Sequence, residues 1–186
     1  MSAPHRLARL LAAAALALAA GLAQAELFAT TAVDLARESA QGGRDGKLLA
    51  VLFEQDDCAA CRELRQKVLG DKATGQAIAA RYRTVAVDLS AAGELVTPDG
   101  KTLPAKDWAA RLRVPGTPAL AFFDARGRLL YRHVGPLADG RELQLLGRYV
   151  ASEEYERRPF SDYLRTQKIG DRVSALQRES VCHTKS

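Results

Sequence analysis

The chemistry-bearing residues of this chain concentrate in the stretch Phe53-Glu54-Gln55-Asp56-Asp57-Cys58-Ala59-Ala60-Cys61-Arg62-Glu63. Two cysteines at this spacing form half of a zinc site, a structural disulfide or a catalytic dithiol. A tetrahedral zinc site needs four ligands, and the remaining candidates are His133, Cys182 and His183, the last two near the C-terminus. A copper site of two thiolates and one histidine would draw on His133, whose plainer role is a half-exposed residue of an alternating strand beside Arg132. The ligand count that a metal requires is not met, so neither a metal nor a cofactor is expected. A purely structural disulfide across two intervening residues closes so short a loop that it contributes little stability.

A redox role accounts for more of the surrounding sequence. Leu48 to Phe53 (LLAVLF) is a short continuous apolar run bounded by turn residues, the pattern of a strand buried on both faces. After Cys58 the period changes, and Cys61, Leu64 and Val68 fall on one helical face. A dithiol at such a strand-to-helix junction leaves its first sulfur near unpaired backbone N–H groups and the positive end of the helix dipole, which favours the thiolate. Cys58 would then form the mixed disulfide, and Cys61, one turn inside the helix and more buried, would resolve it. Asp56 or Asp57 is expected to cap the helix. A carboxylate beside Cys58 also opposes the thiolate, which predicts a moderately reactive thiol and a reductant or exchange protein in preference to a strong oxidant.

A second element stands far downstream, Gly116-Thr117-Pro118, directly before an apolar strand. A proline at the start of a strand is permitted, and such a site is where a cis bond makes a tight turn. Set opposite the cysteines, a cis Thr117–Pro118 bond would leave the Thr117 backbone free to pair with an extended substrate segment. The alternative is an ordinary trans proline in a loop.

These residues must be held by a definite order of elements. Phe28 to Gln41 reads as a modest helix ending at Gly42-Gly43, and a second helical stretch follows the cysteine helix to about Tyr82. Thr84 to Leu89 reads as a strand, Leu95 to Lys106 as a turn-rich insertion, and Asp107 to Leu112 as a short helix. Ala119 to Phe123 and Arg128 to Val134 flank Asp124-Ala125-Arg126-Gly127 in the pattern of a hairpin. Leu143, Leu146 and Val150 then recur at helical spacing. A βα unit joined to a ββα unit makes one mixed sheet with helices on both faces. Past Thr166 the chain is polar and is expected to hold at most one weak helix near Val173 to Leu176.

The N-terminus carries Arg6 and Arg9, an apolar run from Leu10 to Leu22, and the small residues of Ala23-Gln24-Ala25. This is the pattern of a secretory signal cleaved before Glu26, and the run is shorter than the roughly 20 residues that span a bilayer. The expected organisation is therefore a signal over residues 1–25, one domain over 26–165 and a polar tail over 166–186. Without Arg6 and Arg9 the net charge falls from +5 to +3. That excess is too mild and too evenly spread for nucleic-acid binding. Export implies an oxidising compartment, and three cysteines are too few for a disulfide-stapled scaffold.

Together, the buried strand, the CAAC helix, and VPGTP ahead of a hairpin and last helix resemble the thioredoxin fold over roughly Lys47 to Val150. Phe53-Glu54-Gln55, the insertion before Trp108, and Tyr149-Val150 followed by Phe160-Ser161-Asp162-Tyr163-Leu164 resemble SoxW-type periplasmic thioredoxins of bacterial sulfur-oxidation clusters. The resemblance implies a three-layer α/β/α fold and a periplasmic thiol–disulfide oxidoreductase that reduces disulfides of exported partners. Electrons would come from a membrane thiol transporter, and a sulfur-carrier protein would be a client. By this resemblance Cys58 is the nucleophile, Cys61 the resolving thiol, and Gly116-Thr117-Pro118 the substrate-facing loop.

The chain also departs from that pattern. Cytosolic thioredoxins carry Trp-Cys-Gly-Pro-Cys; here Asp57 replaces the Trp and Ala59-Ala60 the Gly-Pro. Their buried aspartate, six residues before the first cysteine, is Leu52 here. Glu54 is then the candidate proton shuttle, by proximity alone, with an exposed strand-end residue as its alternative. Cys182 matches nothing in the core and is either a free thiol on a monomer or the site of a dimer-forming or regulatory disulfide. Two other functions stay open at this level: a cytochrome c maturation thiol reductase, and a non-catalytic thioredoxin-fold binding or metallochaperone module.

Overall fold

The structure, a computed structural model, describes residues 26–29 and 31–183, with side chains as far as Ser174. The expected signal over residues 1–25 lies outside the described residues. No helix among them is long and apolar enough to cross a membrane.

The order of elements is α1 (Leu35–Arg44), β1 (Leu48–Glu54), α2 (Ala59–Leu64) running on as a π-helix (Arg65–Leu69), α3 (Lys72–Ala79) and β2 (Tyr82–Asp88). There follow the hairpin β3 (Glu94–Val96) and β4 (Thr102–Pro104), α4 (Ala105–Arg111), β5 (Ala119–Phe123), β6 (Leu129–Val134), α5 (Gly140–Ala151) and α6 (Phe160–His183). The four long strands form one sheet in the order β2-β1-β5-β6. β1 pairs parallel with β2 and antiparallel with β5, so the sheet is mixed, as expected.

β1 lies inside because its residues are apolar on both faces, and alternate side chains divide between two cores. Ala50 and Leu52 pack with Leu64, Val68, Ile78, Leu146 and Tyr149, the inward residues of α2, α3 and α5 and of the π-helix. Leu49, Val51 and Phe53 pack with Leu35 of α1, Trp108 of α4, and Leu95 and Leu103 of the small hairpin. The Trp108 ring lies 5.0 Å from Phe53 and 5.7 Å from Phe123. The fold is thus the three-layer α/β/α arrangement.

Three sequence expectations change. The first helix begins at Leu35 and not at Phe28, because Asp34 caps it by accepting the Arg37 N–H at 2.9 Å. The residues before it lie along the sheet edge, with Leu27 and Phe28 buried and Ala32 bonded to Ala86. The insertion is not merely turns. Thr97, buried, bonds Asp99 and both backbone groups of Lys101, which closes β3 on β4. Its Pro98 turn sits directly on the β5–β6 turn, where a Cβ on Gly127 (φ 78°) would stand 2.1 Å from the Pro98 carbonyl oxygen.

The third change is at the C-terminus, where, in place of at most one weak helix near Val173 to Leu176, a single helix, α6, runs from Phe160 to His183. Phe160 and Tyr163 anchor it in the core, and Arg141 of α5 bonds Asp171 farther along. From Arg165 to Ser174 its residues are largely exposed, so no apolar period marks them. Cys182 falls on this helix, its side chain outside the described residues.

Candidate active site

The site forms where the carboxyl end of β1 meets the start of β5. Phe53 pairs with Ala119 in the antiparallel register, so the residues just before β5 must lie beside those just after β1. This brings Thr117 to Cys58 across the sheet end.

Cys58 and Cys61 are joined in a disulfide with Cα atoms 5.2 Å apart. Cys58 is itself the N-cap of α2, and its sulfur accepts the Cys61 backbone N–H at 3.0 Å. It is half-buried, whereas Cys61 is 4% exposed. Thr117 Oγ1 donates to Cys58 Sγ at 3.5 Å. The Thr117–Pro118 bond is cis. Pro118 is buried, Thr117 half-buried and Gly116 exposed, with open space where a Gly116 Cβ would point. The expected site residues Cys58, Cys61, Gly116, Thr117 and Pro118 therefore lie together, and one sulfur alone faces solvent.

The aspartates do not cap the helix, because Cys58 occupies the cap position. Asp57 instead takes a left-handed backbone (φ 56°), a conformation that aspartate tolerates better than most residues, and turns the chain from strand to helix. Asp56 donates its N–H to Ser90 Oγ at 2.8 Å, which ties this turn to the loop after β2. Both aspartates are exposed.

Glu54 is not the exposed strand-end group of the alternative reading: it is partly buried and paired. Arg65, the first residue of the π-helix, grips it through two bonds: Nε to Oε2 at 2.8 Å and Nη2 to Oε1 at 2.5 Å. Nη2 also donates to the Phe28 carbonyl at 3.2 Å. The hydrogen bonds to Glu54 raise the Arg65 guanidinium above its ordinary range, against the opposing effect of burial. Both Glu54 oxygens are thus engaged by one guanidinium.

Sequence reasoning missed Arg65, Ser90 and the capping sulfur. Arg65 was legible in part, as a cation one helical turn after Cys61, but its partner lies across two elements. Ser90 carried no signal.

Among the described residues His133 belongs to no group of three metal-ligating side chains. It packs edge-on against Phe160 with ring centroids 5.9 Å apart, and its buried Nε2 has no hydrogen-bond partner among the described residues. Burial lowers its pKa, opposed by a bond with the Pro136 backbone and by Glu142. Among the described residues no three His, Cys, Asp or Glu side chains cluster as metal ligands.

A family model described as a thioredoxin-like domain matches residues 35–151. A thioredoxin-fold protein from Helicobacter pylori superposes with a TM-score of 0.55 at 16% identity, over 67% of this chain and 82% of that one. The solution structure of a candidate disulphide-isomerase from Bacteroides thetaiotaomicron gives 0.54 at 21% identity, over 69% and 97%. No curated protein matches the chain in sequence. At these identities the two structures speak for the fold alone, and the family model runs from the first residue of α1 to the last of α5. The chain belongs to the thioredoxin-like domain family, with a CxxC disulfide at the head of its first helix after β1.

Proposed function

We propose that this protein is a thiol–disulfide oxidoreductase that reduces disulfides of exported partner proteins in an oxidising compartment. The observation that carries this reading is the asymmetry of the disulfide: Cys58 is accessible, hydrogen-bonded by Thr117 and the Cys61 N–H, while Cys61 is buried behind it.

In the reduced protein the same two donors face the Cys58 thiolate and favour it. Cys58 Sγ attacks one sulfur of the partner's disulfide; a bond forms between them, and the other partner sulfur leaves as a thiolate that takes a proton. Cys61 then loses its proton and attacks Cys58 Sγ. The second partner thiolate leaves, and the Cys58–Cys61 disulfide closes. Two electrons pass to the partner, and the protein ends oxidised. A dithiol donor, by the family resemblance a membrane thiol transporter, must then reset it.

The sequence from Met1 to Ala25 supports export, and a disulfide persists in such a compartment. Resemblance to SoxW-type thioredoxins supports a sulfur-carrier client whose working cysteine must stay free.

A Cys61→Ser variant should accumulate mixed disulfides through Cys58, and a Cys58→Ser variant should not. Absence of adducts, together with stoichiometric copper or zinc binding, would replace this reading with the metallochaperone one. A reduction potential near about −270 mV fits a reductant, whereas one near about −120 mV reverses the direction of electron flow.

A further inference from the structure

The ion pair of Arg65 and Glu54 joins the two elements that carry the dithiol, the end of β1 and the helix that Cys58 caps. Arg65 stands one helical turn after Cys61, and its backbone N–H donates to the Cys61 carbonyl. Residues so spaced lie on the same side of a helix, with Cβ atoms about 5–6 Å apart. Glu54 closes the strand that leads to Cys58 and accepts two bonds from the guanidinium. The pair is shielded, with Glu54 18% and Arg65 31% exposed, so solvent screens it less than a surface pair. Inside the sheet the neighbouring position is Leu52, fully buried, and supplies no charge.

We propose that Arg65 and Glu54 form a charge-balanced positioning pair for the dithiol, Arg65 favouring and Glu54 opposing negative charge on the sulfurs. This rests on the oxidoreductase reading and specifies how that site is tuned. Charge develops on Cys58 when it attacks a partner, and again on a sulfur of the pair whenever the disulfide is opened. A cation within about a Debye length favours that charge, and an anion disfavours it. Intact, the two offset one another, and Arg65's third bond, to the Phe28 carbonyl, fixes the guanidinium in place; its looser contact with Glu26, at 3.7 Å, is to a carboxylate 72% exposed and screened by solvent.

The two halves of this ion pair should act with opposite signs. In the reduced full-length protein, alkylation of Cys58 by iodoacetamide is followed through the mass of the peptide that carries it, across a pH series at low salt. Arg65→Gln should slow alkylation at neutral pH about threefold or more and move its pH profile upward; Glu54→Gln should speed it by a similar factor and move the profile downward. The double variant, neutral again, should return close to the wild-type rate although the ion pair is gone. Arg65→Lys, which keeps the cation and loses the two-pronged grip, should also stay close to wild type and serves where Arg65→Gln fails to fold.

A structural clamp gives a different pattern. Both single variants would then lower stability and change the rate in the same direction or not at all, without recovery in the double, and that result overturns the proposal. Wild-type Cys58 that exchanges with no disulfide, under conditions where Cys61→Ser traps no adduct, would instead overturn the oxidoreductase reading itself.

Discussion

The Thr117 hydroxyl lies 3.5 Å from Cys58 Sγ, although 59 residues separate the two along the chain. The contact exists because β5 runs antiparallel to β1, so the loop entering one strand abuts the helix leaving the other. Thr117→Val keeps the shape and removes the donor. Cys58 alkylation in the reduced protein should slow by about two- to fivefold, toward the lower end of what a single net hydrogen bond contributes. The urea midpoint should stay unchanged, which separates loss of a donor from loss of fold.

Exposed Asp56 and Asp57 are expected to temper the nucleophile through solvent. Replacing both with asparagine keeps the left-handed turn at Asp57, since asparagine adopts it as readily. Alkylation of Cys58 should become faster at low salt, and the difference should shrink toward zero near 1 M salt. A salt-independent change would mean that the substitution acts through backbone geometry.

Gly127 holds the β5–β6 turn against the Pro98 turn, with both a positive φ and no room for a side chain. Gly127→Ala should destabilise by about 2–4 kcal/mol, combining left-handed backbone strain with overpacking against main-chain atoms. Gly46 has a similar φ of 68° with open space around it, so Gly46→Ala should lose only about 1–2 kcal/mol. Urea unfolding of the two variants, compared at equal slope, checks the difference.

His133 ties stability to pH. Burial against Phe160 holds its folded-state pKa below the ordinary value of 6.5, so the unfolded chain binds the proton more readily. Its contribution is fully present above about pH 6.5 and is lost as the pH falls below that value toward the lowered one. His133→Phe, which preserves a ring against Phe160, should flatten the fall in urea midpoint between pH 7 and 5. An unchanged slope would assign that fall to other groups.

Much of this was visible in the order of residue types. The uninterrupted apolar run Leu48 to Phe53 determined a strand buried on both faces, and the change of period at Cys58 determined a helix after it. With the hairpin around Asp124 to Gly127 and the spacing of Leu143, Leu146 and Val150, these local patterns specified the layers of the fold. They sufficed because burial on a strand or helix repeats with the period of its backbone. The same logic failed for α6 from Arg165 to Ser174, where the helix is exposed and shows no apolar period.

Pairings between distant groups were a different matter. That Cys58 would cap its own helix, leaving the aspartates to make the turn, depended on the φ of Asp57 and the position of the Cys61 N–H. That Glu54 would be gripped by Arg65 depended on how the end of β1 faces the first π-helical turn. A side chain's chemistry is set by which partner satisfies it once water is removed. Residue type and spacing therefore determined where the thiols stand, and only the packing of α2 and the loop before β5 against the end of β1 decided which groups surround them.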